Sequence, residues 1–150
     1  AVARVYTLKG RTPAKPCIIL ISSLGDLAEF GISLTPEREK ILSEYWPGPV
    51  SIAMKCGTDV PEYLHRGTHT LVFRLPSDDR LVDLLKKAGP LIAPSANPEG
   101  QPPAATIDEA KKYFGGNVDF YVDGGILDGA PSTLVSSDEQ NTIAVLRKGR

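Results

Sequence analysis

The chain has 150 residues, 41% of them hydrophobic and 23% charged, and its 17 basic and 18 acidic side chains give a formal net charge of −1. This length fits one domain able to bury roughly 70% of its unfolded surface. The balanced charge argues against a protein that coats nucleic acid or an anionic membrane, since such proteins carry surplus Lys and Arg. No apolar run reaches the ~20 residues of a membrane span and no signal peptide opens the chain, so we expect a cytoplasmic protein.

The first residues predict the end of an amphipathic helix. Val2, Val5 and Leu8 share its apolar side, Gly10 suits its C-terminal cap, and Pro13 blocks its continuation. Because no capping residue precedes this helix, we expect the sequence to begin inside a longer gene product.

The next segments predict alternating strands and helices. Residues 17–21 form a continuous β-branched run, which predicts a strand buried on both faces. A short helix is expected over 27–30, and a second over 35–45, with Thr35 as its cap and Pro36 at its first position. Residues 50–55 predict the second strand.

The second half of the chain repeats this mixture. Helices are predicted over 81–88 and over 106–114, the latter with the capping-box pair Thr106 and Glu109. Since strands and helices follow each other irregularly, we expect an α/β fold in one domain, a twisted mixed sheet flanked by helices. The further predicted strands are 70–75, 91–93, 120–123, 132–135 and 143–146.

The cysteines and histidines give little sign of a metal site. Cys17 and Cys56 lie in or beside apolar runs without metal-ligand spacing, which favours two small buried side chains in a reducing compartment. His65 and His69 are four residues apart and could imitate a metal pair. Their position in a connection without a nearby Cys or Asp ligand favours surface histidines, and we predict no metal site.

Three short clusters carry groups suited to an anion, and each also has a structural interpretation. Lys9, Arg11 and Lys15 could bind phosphate or carboxylate, although cations also suit a helix C-terminus. The turn 94–98 would expose hydroxyl, amide and backbone N–H groups beyond a strand, or would be an ordinary Asn-Pro turn. The glycine-rich segment 123–133 would let backbone approach an anion, or would be a long hairpin connection.

Arg74 differs from these clusters because it lies within an apolar strand. A guanidinium there needs an anionic partner, either a protein carboxylate or a ligand.

Taken in order, these pieces resemble the threonylcarbamoyl-AMP synthase (YrdC-like) family across essentially all 150 residues. Each motif is weak alone, and the six together are specific. They are Lys-x-Arg at Lys9 and Arg11, Trp46-Pro47-Gly48-Pro49-Val50, Arg-x-Pro at Arg74 and Pro76, Ser-x-Asn at Ser95 and Asn97, Pro131-Ser132-Thr133, and Leu146-Arg147-x-Gly149.

The resemblance implies a YrdC-like domain over 1–150 built around a concave cavity, in which L-threonine, bicarbonate and ATP give threonylcarbamoyl-AMP and pyrophosphate. Mg²⁺ would accompany ATP. The product would serve the threonylcarbamoyladenosine modification of tRNA, with tRNA or tRNA-modification proteins as partners. The family's N-terminal Pro-Thr-x-Thr-x-Tyr-Gly-Leu segment is absent, so we expect this chain alone to bind substrate poorly and to expose an apolar sheet face.

The resemblance also implies residue roles, carried over position by position. Lys9 and Arg11 would be catalytic. ATP would contact Arg11, Lys15, Thr70, Ser95, Asn97, Pro103 and Arg147. L-threonine would contact Leu20, Arg74, Ala93 and Ser132.

Such a site suits the reaction, because phosphoryl transfer needs fixed cations and oriented donors more than proton chemistry. Two other functions remain open at this stage. One is a non-catalytic RNA-binding module of the same fold, against which the net charge of −1 counts. The other is a carbamoyl-transfer domain of a hydrogenase-maturation protein.

Overall fold

The computed structural model describes residues 1–149, which form six strands and five α-helices. The helices are Val2–Lys9 (α1), Pro36–Ser43 (α2), Glu62–His65 (α3), Asp79–Ala88 (α4) and Ile107–Phe114 (α5). The strands are Ile18–Leu20 (β1), Val50–Lys55 (β2), Thr70–Arg74 (β3), Leu91–Ile92 (β4), Thr133–Ser137 (β5) and Ile143–Arg147 (β6). Short 3₁₀ helices cover Leu24–Phe30 and Gly115–Asn117.

Three predicted helix boundaries are confirmed. α1 stops at Gly10, whose φ of 56° is the left-handed conformation that glycine adopts without steric cost. α2 starts at Thr35, whose Oγ1 accepts the Arg38 N–H at 3.2 Å. α5 starts at Thr106, whose Oγ1 accepts the Glu109 N–H at 3.3 Å.

All six strands form one mixed sheet in the order β4-β1-β3-β2-β5-β6. β1 pairs with β3 and β2 with β5 in parallel, while the other neighbours are antiparallel. The predicted α/β fold with a mixed sheet is therefore confirmed.

The two faces of the sheet are covered unequally. One face packs on the 3₁₀ helix 24–30 and α2, with a core that includes Ile19, Ile52, Phe73, Leu27 and Leu42. Each such side chain contributes about 1.5–3 kcal/mol by leaving water. The opposite face carries half-buried apolar side chains from three strands, at Ile18, Leu20, Val72 and Leu134.

Two predictions about strands are wrong. The 17–21 strand is not buried on both faces, since burial alternates along β1 and only Ile19 is enclosed. Residues 120–123 form no strand, since this run pairs with none of the six strands of the sheet. Phe120 and Val122 are instead 78% and 80% exposed.

Two smaller expectations also change. α3 was not predicted, and its last residue His65 is buried, whereas only His69 is a surface histidine. His65 is buried because its Nδ1 accepts the backbone N–H groups of Gly67 and His69 at 3.2 and 3.3 Å. Cys17 is buried, Cys56 is half-buried, and both are free thiols. Among residues 1–149, no helix has the length and apolarity to cross a bilayer.

Candidate functional site

The less covered face of the sheet contains a hollow of about 420 Å³. Its wall combines side chains of β1, β3, β5 and β6 with the loop that follows α1 and the turn that follows β4. We call it the arginine hollow, after three of its lining residues, Arg11, Arg74 and Arg147. Ala93, Ser95 and Ser132 also line it, so six of the predicted site residues lie around one cavity. No carboxylate or imidazole is found among the lining residues within 1–149.

Arg11 reaches the hollow from the loop after α1. Its Nε donates to Lys15 O at 3.0 Å and its Nη2 to Pro16 O at 2.9 Å. Because these acceptors are neutral carbonyls, the loop fixes the guanidinium without cancelling its charge. No carboxylate oxygen lies within 4 Å of Arg11 in the described chain.

Arg74 ends β3, and the turn 46–49 holds it. Its Nε donates to Gly48 O at 3.0 Å. The turn is itself fixed, since Gly48 N–H donates to Leu75 O at 2.9 Å and Trp46 Nε1 to Val50 O at 2.7 Å. A Cβ at Gly48 would lie 2.7 Å from Tyr45 O, so this position admits only glycine. The Trp-Pro-Gly-Pro motif therefore acts on the site through Arg74.

Ser132 and Arg147 meet on the other side of the hollow. Ser132 Oγ lies 2.8 Å from Ser51 Oγ, and both side chains are buried. Arg147 Nη2 donates to Ser132 O at 3.0 Å. Gly149 permits this approach, because a Cβ there would overlap the backbone of Pro131 and Ser132.

Lys9 and Asn97 lie behind Ser95 and do not line the hollow. Lys9 Nζ donates to Ser95 O at 2.5 Å and also to Asn97 O. Burial and the nearby Arg11 charge lower the pKa of Lys9. Asn97 Nδ2 donates to Pro98 O and Gln101 O, while its Oδ1 accepts from Ser95 Oγ at 2.6 Å. Both residues therefore shape the turn that presents Ser95.

Lys15 turns away from the hollow and pairs with Glu99. The Glu99 carboxylate also accepts from the Thr12 N–H and, at 3.0 Å, from Thr12 Oγ1. These hydrogen bonds, above all that from Lys15, lower the pKa of Glu99 to about 2. A carboxylate of the chain thus pairs with Lys15, which the sequence analysis predicts to contact phosphate. We call the arrangement of Glu99, Lys15 and Thr12 the Glu99 contact.

Three other predicted site residues lie outside the lining of the hollow. Leu20 is in register with Arg74 on the half-buried face. Thr70 is at the far end of β3 from Arg74 and pairs with Lys55 in β2. Pro103 lines a separate cleft of about 390 Å³ beside α5.

Several residues of the site were not found by sequence reasoning. Ser51 and Gly48 lie in or beside a recognised motif, but their contacts with Ser132 and Arg74 depend on strand pairing. Nothing in the pattern around Glu99 predicts its contact with a loop 84 residues earlier.

Metal binding by the chain finds no support in this geometry. No group of three His, Cys, Asp or Glu side chains in residues 1–149 is placed to hold a metal ion. His65 and His69 stack with ring centroids 4.6 Å apart. The hollow can instead hold anions, since it offers guanidinium groups and hydroxyls in fixed positions.

The chain is similar to proteins of one known family. Residues 1–149 match the family model Sua5_yciO_yrdC, described as telomere recombination. The threonylcarbamoyl-AMP synthase of Pyrococcus abyssi is 30% identical over 153 residues, a match covering 99% of this chain and 44% of that protein. The chain thus spans less than half the length of this relative.

Two solved structures are similar over 99% of the chain. P. abyssi Sua5 complexed with L-threonine has a TM-score of 0.85 and 29% identity, with 44% of that chain covered. HypF of T. kodakarensis has a TM-score of 0.81 and 25% identity, with 20% of that chain covered.

Proposed function

The chain belongs to the Sua5/YciO/YrdC family over residues 1–149, and on that premise we propose that it is the catalytic part of an L-threonylcarbamoyladenylate synthase. It would join L-threonine, bicarbonate and ATP into threonylcarbamoyl-AMP and release pyrophosphate. This makes it a nucleotidyltransferase that supplies tRNA threonylcarbamoyladenosine modification, with tRNA or tRNA-modification proteins as downstream partners in the cytoplasm. A curated relative bears the name of this activity, and a similar structure is a complex with L-threonine.

The observation that carries the proposal is the convergence of three guanidinium groups and two serine hydroxyls on the arginine hollow. All substrates of the reaction are anions or carry a carboxylate. Fixed guanidinium groups bind carboxylate and phosphate oxygens in pairs, and fixed hydroxyls orient them.

L-threonine would occupy the part of the hollow near Arg74. Its carboxylate would meet the Arg74 guanidinium, while Ala93 and Ser132 bound the small side chain. Leu20, in register with Arg74, would close the pocket from β1.

ATP would occupy the part near Arg11, Ser95 and Arg147. Lys9 and Asn97 would act by holding the Ser95 turn, through the hydrogen bonds that fix its carbonyl and its hydroxyl. Lys15 would reach phosphate only after exchanging Glu99 for it. Thr70 and Pro103 would contact the nucleotide beyond the hollow. Mg²⁺ would enter with ATP as part of the substrate, since the lining offers no carboxylate to hold it.

The chemistry asks for charge stabilisation. The threonine amine attacks the carbon of CO₂ formed from bicarbonate, and loss of a proton leaves a carbamate. A carbamate oxygen then bonds to the α-phosphorus of ATP as the bond to the β-phosphate oxygen breaks, and pyrophosphate leaves in line. Guanidinium groups stabilise the charge that develops on the phosphoryl oxygens, and their fixed positions bring the two substrates together.

The direct test is pyrophosphate release from ATP that requires both L-threonine and bicarbonate. It should be run on the 150-residue chain. Arg74→Gln should lower threonine-dependent release by about tenfold to a hundredfold, since a charged hydrogen-bonded pair is lost. Arg80→Gln, which removes an exposed arginine paired with Asp78, is the matched control. Pyrophosphate release that does not depend on threonine would refute the proposal.

The likeness to HypF supports a second candidate, a carbamoyl-transfer domain of a hydrogenase-maturation protein. The same assay separates the two, because that activity would use carbamoyl phosphate in place of threonine and bicarbonate. A non-catalytic RNA-binding module would bind tRNA in a gel shift at moderate salt and release no pyrophosphate.

A further inference from the structure

A second cleft lies beside the loop that holds Arg11. It has a volume of about 480 Å³ and is lined by Pro13, Ala14, Glu62, Tyr63 and Arg66. We call it the Arg66 cleft. The loop 11–16 separates it from the arginine hollow, since Arg11 and Pro16 line the hollow while Pro13 and Ala14 line the cleft.

Arg66 has an unusual local setting. It caps α3 in the left-handed conformation, with φ 53°, which few residues other than glycine adopt. Glu62 stands four residues before it, the usual helical position of an ion-pair partner. Yet no nitrogen of Arg66 lies within 4 Å of a carboxylate oxygen among residues 1–149. The turn directs the guanidinium onto the ring of Tyr6, with Cζ 4.0 Å from the ring centroid.

The guanidinium of Arg66 also has an unused donor. Its Nε is buried and has no hydrogen-bond partner in the described structure. A buried donor without a partner destabilises the fold. The cation is thus held against an aromatic face. Because its Nε is buried, contact with a ligand in the cleft would fall to the two Nη nitrogens.

Tyr6 connects the two cationic sites. Arg11 Cζ lies 5.8 Å from the same ring centroid, and Tyr6 OH donates to Lys15 O at 2.7 Å. One tyrosine therefore places two guanidinium groups within 6 Å of its ring, one lining the hollow and the other lining the Arg66 cleft. Neither is neutralised by a carboxylate of residues 1–149.

We propose that the Arg66 cleft binds a pyrophosphate-class anion, with Arg66 as its principal donor. An anion leaving the hollow past Arg11 meets this second guanidinium on the other side of the loop 11–16. Only the identification of this anion with released pyrophosphate rests on the proposed function, because binding of the anion itself needs no turnover. The Glu62 carboxylate lies in the same cleft and would repel an anion bound there. Removing its charge should therefore strengthen binding, which gives a second test.

The experiment is calorimetric titration of inorganic pyrophosphate into the 150-residue chain and three variants at fixed salt. Arg66→Gln should weaken binding by about tenfold or more, since a charge-assisted bidentate contact is lost. Glu62→Gln should tighten binding about two- to fivefold, because it removes a like charge from the same cleft. Arg80→Gln changes net charge by the same amount as Arg66→Gln and should leave binding unchanged.

Several outcomes would overturn the proposal. They are absence of pyrophosphate binding to the unmodified chain, equal weakening by Arg66→Gln and Arg80→Gln, and no tightening by Glu62→Gln. If circular dichroism shows that Arg66→Gln is unfolded, the Glu62→Gln variant decides: tighter pyrophosphate binding supports the proposal, and unchanged or weaker binding overturns it. ATP titrated into Arg11→Gln reports on the hollow separately. Loss of ATP binding there with intact pyrophosphate binding would support the cleft, whereas failure of the Arg66 test with normal threonine-dependent turnover would leave the proposed function standing.

Discussion

The two sides of the arginine hollow are held in different ways. On the strand side, Arg74, Ser132 and Arg147 are fixed by backbone carbonyls and by the buried Ser51 hydroxyl. On the loop side, Lys15 is held by the Glu99 contact, in which the Lys15 side chain is 59% exposed. Buried hydrogen bonds are costly to break, whereas exposed ion pairs contribute little and exchange readily. The strand side is thus a rigid template for a small ligand. On the loop side, backbone carbonyls also fix Arg11, whereas Lys15, outside the lining, can exchange Glu99 for phosphate.

Among substitutions on the strand side, we expect Gly149→Ala to destabilise the chain most. The added Cβ would overlap the Pro131 and Ser132 backbone, which cannot move without separating β5 from β6. We expect a loss of about 3 kcal/mol in the free energy of unfolding, as for other overpacked sites. Chemical denaturation measures it.

Gly116→Ala is the matched control for that substitution, since nothing lies within 4 Å of a Cβ there and its φ is not positive. Similar midpoints for the two variants would show that the end of β6 does not fix the site.

Ser51→Ala tests the buried hydroxyl pair. It leaves Ser132 Oγ without its 2.8 Å partner, at an expected cost of about 1–2 kcal/mol in stability. We also expect about a tenfold weaker affinity for L-threonine, because the Ser132 hydroxyl is no longer oriented. Ser43→Ala, which removes an exposed hydroxyl bonded to Lys40 O, should change neither quantity. Unchanged threonine affinity in Ser51→Ala would remove Ser132 from the threonine pocket.

Glu99→Gln tests whether the Glu99 contact limits ATP binding at the loop. Because the neutral amide competes less well for Lys15 and Thr12, we expect ATP affinity to rise about two- to fivefold. We expect only a small change in thermal stability, because the ion pair with Lys15 is exposed. ATP titration and thermal unfolding measure the two effects. Glu44→Gln removes the same charge from an exposed position after α2 and serves as control. A fall in ATP affinity would mean that Glu99 supports the phosphate site.

The last prediction concerns the pKa of Glu99. The folded-state pKa of Glu99 is about 2, against an ordinary value of 4.5. Its contribution to stability is therefore complete above pH 4.5 and is lost as the pH falls towards 2. NMR titration of the Glu99 side-chain carboxyl should show a midpoint near 2, and Lys15→Met should move it towards 4.5. A midpoint near 4.5 in the unmodified chain would contradict the Glu99 contact.

Most of the fold could be predicted from the sequence because its signals are local. The caps at Thr35 and Thr106 and the glycine stop at Gly10 mark the helices, and β2 has its predicted bounds. One exception is the 120–123 run, whose alternation resembles a strand. A strand also needs a neighbouring strand, and the pattern of one segment does not show whether such a partner is available to it.

The site divides in the same way. The motif residues Arg11, Arg74, Ser95, Ser132 and Arg147 line one hollow, as a common function would require. Ser51, Glu99 and Arg66 were missed, because what matters in each is a partner distant in sequence. Lys9 and Asn97 stay predicted site residues, although their side chains point to supporting roles behind Ser95.

The composition of the hollow has a kinetic consequence. Arginine stays charged across the range in which enzymes are assayed, and serine stays neutral. The described lining contains no carboxylate or imidazole, the groups that most often shape the neutral part of a rate profile, and its one thiol, at Cys17, is buried. For the reaction proposed above, the response to acidity would then come from the reactants, through protonation of the amine and interconversion of bicarbonate and carbon dioxide.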